Sequence, residues 1–99
     1  MNAFIVAQHN SEGRLILAVC DSDVHGKRLE EKGVVLDLSS KFYSGQEKDA
    51  ASVEKLMLKA YTIHAVGKSS VVIAIRLGLA TKEDTKTVEG VPHVQVLMA

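Results

Sequence analysis

Hydrophobic and polar positions change their period along this chain, and the changes mark its elements. The runs "AFIVAQ" and "RLILAVC" are separated by "HNSEG", a polar stretch ending in Gly13. Two short β-rich runs joined by a few residues containing glycine predict a hairpin. In "DSDVHGK", Asp21 or Ser22 is placed to cap one short helical turn ending at Gly26. "GVVLDLS" at 33–39 predicts a third strand, with Val35 and Asp37 on one face and Val34, Leu36 and Leu38 on the other. "SKFYSGQEKDA" reads as a loop holding Phe42 and Tyr43.

From Asp49 the period lengthens. Val53, Leu56, Met57, Ala60 and then Ile63 or His64 fall at helical spacing, with Lys55, Lys59 and Thr62 opposite. That pattern predicts one long helix stopped by Gly67. Ser69 or Ser70 then caps a second helix through "SVVIAIRLGLA" that closes near Gly78. Its β-branched "VVIAI" also suits a buried strand, and the two bracketing glycines favour the helix. "TKTVEG" and "PHVQVLM" close the chain as two strands about a Gly-Val-Pro turn. The sum is a single α+β domain over residues 1–99. It has a small antiparallel sheet of about five strands, with an inserted helix pair packed on one face.

Composition narrows the functional classes. Hydrophobic residues are 46% and aromatic residues 4% with no Trp, so the core is aliphatic. Twelve basic residues balance twelve acidic ones, which excludes binding to nucleic acid by bulk charge. The balance is local, however. Between residues 50 and 82 the chain has Lys55, Lys59, Lys68, Arg76 and Lys82 against Glu54, which outlines a basic face or simply a solvated helix surface. A lone cysteine, Cys20, cannot form an internal disulfide and fits a reducing compartment. The start carries no signal-peptide pattern and no apolar run reaches membrane-spanning length, so a cytoplasmic location is expected.

The letters Gly67-Lys68-Ser69 resemble the end of a phosphate loop. That motif needs another glycine where Thr62 stands and a strand leading in, and the preceding segment reads as helix. What survives is a helix start with free N–H groups, a lysine and the hydroxyls of Ser69 and Ser70, a seat for an anion. The group Cys20, Asp21, Asp23 and His25 fits neither zinc nor calcium spacing, so no metal or other cofactor is expected. His64 reads as a core histidine and Cys20 as a small buried hydrophobe. Phe42 and Tyr43 suit either base stacking or a lid on the core.

Several segments together resemble a known family. They are "VCDSDVHGK", "FYSG", "AYTIHAVGKSSVVIAIRLGLA" and "EGVPHVQV", spanning roughly residues 15–97. They are similar to the archaeal conserved family catalogued as domain of unknown function 424. The chain departs from the family pattern with His64 in place of Asn and Ser69 in place of Arg, which weakens any anion role built on that arginine. The resemblance implies an archaeal cytoplasmic protein without established activity and with a connection to translation and ribosome maturation.

The leading expectation is a non-enzymatic module contacting the ribosome, RNA or a translation protein. Its surface would combine Gly67, Lys68, Ser69 and Ser70 with Lys55, Lys59, Arg76 and the Phe42-Tyr43 loop. The rival is a small enzyme or ligand binder using His93 as acid/base and Gln95 as orienting group, near Cys20 or Asp21. A third reading is a structural subunit of a homo-oligomer, joined through its apolar second helix.

Overall fold

The structure is a computed structural model and describes residues 3–98. Strands β1 (Phe4–Ser11) and β2 (Arg14–Asp21) form the expected hairpin. Its turn is Glu12-Gly13, both residues at positive φ, the mirror-image turn that matches strand twist. The stretch 22–26 is a plain turn rather than a helix. The small hairpin of β3 (Arg28–Glu31) and β4 (Val34–Asp37) follows, closed by a second positive-φ pair, Lys32-Gly33. After a short 3-10 turn at Lys41–Tyr43 come edge strand β5 (Gln46–Lys48) and helix α1 (Ala50–Lys59). The Asp49 side chain caps α1 by accepting from the Ser52 N–H at 2.9 Å.

The long helix expected from Asp49 ends ten residues into its run, and this corrects the sequence reading. Thr62–Val66 is strand β6, not the continuation of α1. Its side chains are buried on both faces of the sheet, apart from the half-buried His64, so the apolar positions that extended the helical period belong to a central strand. Helix α2 (Lys68–Arg76) begins one residue later, directly after Gly67. It stops as expected at Gly78, whose φ is +77°. There the Gly78 N–H reaches Ile75 O and the Leu79 N–H reaches Ala74 O, at 2.9 Å each, which satisfies the last carbonyls of the helix. Strands β7 (Lys86–Val88) and β8 (Val91–Leu97) close the fold. Their turn is Glu89-Gly90, so Val91 and Pro92 stand inside β8 and not in the connection.

The main sheet has six strands in the order β5-β1-β2-β6-β8-β7, with β2 and β6 parallel and every other neighbour antiparallel. The architecture is α+β with both helices on one face, one strand more than expected, and β6 threaded between the helices. Phe4, Val6, Leu17, Val19, Ile63, Ala65, Val94 and Val96 face α1 and α2 and meet Val53, Met57, Val71 and Ala74 there. The opposite face presents Cys20, Val66 and Val88 to the small hairpin, where Val24, Leu29 and Leu38 cover them. Alternation along each strand sends successive residues to these two layers. That burial is the main stabilising term for a sheet with so few aromatics.

Candidate functional site

The site grows out of one buried carboxylate. Asp21 ends β2 on the helical face and is 8% exposed. Its Oδ2 accepts the Ser69 N–H at 2.9 Å, and its Oδ1 accepts both the Ser70 N–H at 2.8 Å and the Ser70 hydroxyl at 2.7 Å. Asp21 therefore caps α2 across the sheet rather than a turn of its own. The anion seat expected at the start of this helix is filled from within the chain. The favourable field of the helix N-terminus stabilises that carboxylate, and Ser69 and Ser70 offer no free N–H to a ligand.

Gly67 permits this geometry. Its φ of +109° lies outside the range that side chains favour, and a Cβ there would fall inside the Asp21 carboxylate. The Gly67 N–H also donates to Pro92 O at 2.8 Å, tying the β7–β8 hairpin to the same corner. The lead-in to Gly67-Lys68-Ser69 is thus a strand, contrary to the sequence reading. A phosphate loop is still absent, because a single residue separates β6 from α2 and Thr62 lies within the strand.

Three connections meet here, at the carboxyl ends of the parallel strands β2 and β6, the one place in this mainly antiparallel sheet that resembles the ligand crevice of open α/β sheets. They enclose a cleft of about 270 Å³ lined by Asp21, Asp23, Gly67, Lys68, Ser69 and the Gly90–Pro92 stretch. On the other side of Lys68 and Ser69 lies a second cleft of about 320 Å³, lined also by Phe4, Ala50, Val72 and Arg76. Lys68 and Ser69 form the ridge between the two. Lys68, Val72 and Arg76 follow one another at four-residue spacing along the outward face of α2.

Of the expected basic residues, Lys55, Lys59, Lys68 and Arg76 are all exposed on the two helices. Arg76 donates through Nη2 to Glu54 Oε1 at 2.7 Å, linking α2 to α1. Lys55, Lys59 and Lys68 form no ion pair among the described residues. Ser70 is fully buried and serves only the cap.

Phe42 and Tyr43 are not part of this surface. They lie on the opposite face, where the Phe42 ring stacks on His9 with centroids 4.9 Å apart and meets His64 edge-on at 5.0 Å. His9 Nε2 donates to Phe42 O at 2.9 Å and His25 Nε2 to Tyr43 O at 3.2 Å, so the Phe42 and Tyr43 carbonyls are each held by an imidazole. The pair covers the sheet on this face, as the lid reading expects, and both rings are half-buried. Sequence reasoning missed His9 in this cluster, since only the sheet register brings it to Phe42.

His93 and Gln95 also lie on that face, each facing outward from β8 beside Val66 and His64 respectively. His93 lines a shallow cleft of about 150 Å³ with Lys86 and Glu31. Burial, and secondarily the Lys86 charge, hold its imidazole below the usual range. Cys20 lies in the same cross-sheet row, but Val66 stands between the two. Burial, reinforced by Asp21 and Asp23, pushes the Cys20 thiol up to about 12. Asp21 points to the helical face, so the expected grouping of His93 with Cys20 or Asp21 does not form.

No helix among the described residues is long and apolar enough to cross a membrane, and no group of metal-ligating side chains occurs among them. Fold and site together define a small α+β domain with a lysine ridge between two clefts at the carboxyl ends of two parallel strands. The chain belongs to the family described as "Protein of unknown function (DUF424)", which it matches over residues 9–98. It is similar to an uncharacterized conserved protein from Methanopyrus kandleri, known from a crystal structure, with 28% identity and a TM-score of 0.76. That likeness covers 97% of this chain and 93% of the other. Comparison with curated proteins yields no match.

Proposed function

We propose that this protein is a non-enzymatic binding module that grips RNA in a ribosome- or translation-associated setting through its helical layer and the Lys68 ridge. The observation that carries this reading is the charge of that layer. The two helices hold four basic side chains, Lys55, Lys59, Lys68 and Arg76, against Glu54 alone, in a chain of zero net charge. Glu54 is spent on Arg76, which leaves the three lysines to neutralise an external polyanion. The one hydroxyl held by a carboxylate in the site, Ser70 on Asp21, is fully buried and serves the helix cap, and the link to translation rests on the family resemblance.

The test is co-sedimentation with archaeal ribosomes over a salt series, with and without nuclease. Three phosphate contacts predict a slope of log K against log salt of roughly −2 to −3. The combined Lys55→Glu, Lys59→Glu and Lys68→Glu variant should lose most of the binding. Binding that is insensitive to salt and to nuclease would replace RNA with a protein partner. Absence of binding to any ribosomal particle would overturn the reading.

A further inference from the structure

The two clefts differ in charge, and they share one ridge. The cleft on the α2 side has Lys68 and Arg76 and no acidic lining residue. The cleft on the strand-end side has Lys68 on its edge but two carboxylates, Asp21 and Asp23. Asp21 is fully engaged by the helix start. Asp23 is exposed, and its carboxylate forms no hydrogen bond or ion pair among the described residues. Lys68 and Asp23 line the same cleft without pairing with each other.

With the Asp23 carboxylate free, this cleft suits a group that donates hydrogen bonds better than it suits a phosphate. The neighbouring cleft does the reverse. Ser69 serves both sides as donor or acceptor. The remaining walls of the carboxylate cleft are the apolar side chains of Val24, Val91 and Pro92 and the bare backbone of Gly67 and Gly90. Alternation of an anionic group and a hydroxyl-bearing one over a short distance is the repeat of a ribose-phosphate chain.

We infer that the ridge reads RNA as RNA: a phosphate lies against Lys68, on the side away from Asp23, and the adjoining ribose places its 2′-hydroxyl on the Asp23 carboxylate. This rests on the RNA-binding reading above and adds a basis for discriminating ribose from deoxyribose. A deoxyribose would leave Asp23 facing carbon-bound hydrogen, and the charge-assisted hydrogen bond that the ribose supplies would be lost.

The experiment measures binding of the full chain to single-stranded oligouridylate and to oligodeoxyuridylate of equal length, which present the same base. Wild type should prefer the ribose form by about tenfold, the scale of one hydrogen bond to a charged group. Asp23→Asn should shrink that preference to within about twofold, and Lys68→Glu should weaken both forms alike. Asp23 is exposed, and a far-UV spectrum matching wild type establishes that the Asn variant is folded. Equal wild-type binding of the two oligomers, or an Asp23→Asn variant with undiminished preference, overturns this inference and leaves RNA binding standing. Failure to bind either oligomer, joined with failure to bind ribosomes, removes the reading on which it rests.

Discussion

The Asp21 carboxylate and Ser70, 49 positions apart in the chain, are joined through both the amide and the hydroxyl of the serine. With the Ser69 amide, this makes three hydrogen bonds from the end of β2 to the start of α2. Asp21→Ala should therefore destabilise the fold by about 2–3 kcal/mol, combining the loss of an N-cap with the loss of a charge at the helix dipole. Urea unfolding measures this. A loss below about 0.5 kcal/mol would mean that the helix start finds other partners.

Gly67 and Gly78 both sit at positive φ, and only one of them is crowded. A Cβ at Gly78 meets open space, so Gly78→Ala should cost about 1 kcal/mol of backbone strain. A Cβ at Gly67 displaces Asp21, so Gly67→Ala should cost about 3 kcal/mol or more. Thermal unfolding of the two variants side by side checks the order. Equal costs would show that Asp21 moves aside freely.

His64 sets the pH dependence on the opposite face. Burial lowers its pKa from 6.5, so in the folded protein the imidazole stays neutral where the unfolded chain takes up a proton. Stability contributed this way is intact above about pH 6.5 and declines as the pH falls from there toward the folded-state pKa. His93 shifts in the same direction. His64→Gln should flatten the stability profile between roughly pH 6.5 and 5, a window above the carboxylate range. An unchanged profile would place His64 in solvent.

The hairpin of β1 and β2, the stop at Gly78 and the α+β class were legible because each is written locally. Alternation, a terminal glycine and a change of period need only neighbouring residues. Strand β6 was hidden because Thr62, Ile63 and His64 fall where the period of Val53, Leu56 and Met57 would carry a helix onward. A strand buried on both faces has no alternation with which to contradict it. Strand β3 was hidden for the opposite reason, since "RLEE" has one apolar residue, Leu29, and forms only by pairing with β4. At the site, Lys68 and Ser69 were visible in sequence. Their relation to Asp21 was not, because a cap supplied from 48 residues away leaves no local spacing to read. The place of Asp23 in the cleft was hidden for the same reason, because it depends on the β2–β3 turn and the β7–β8 hairpin coming together.

The most direct test of the central claim is a map of backbone amide shifts in the nuclear magnetic resonance spectrum as single-stranded RNA is added. The account predicts the largest shifts along 67–76 and 55–59 and at Asp23, with Phe42, Tyr43 and β3–β4 unmoved. Shifts confined to the Phe42, His64 and Gln95 face, or none at saturating RNA and low salt, would contradict it.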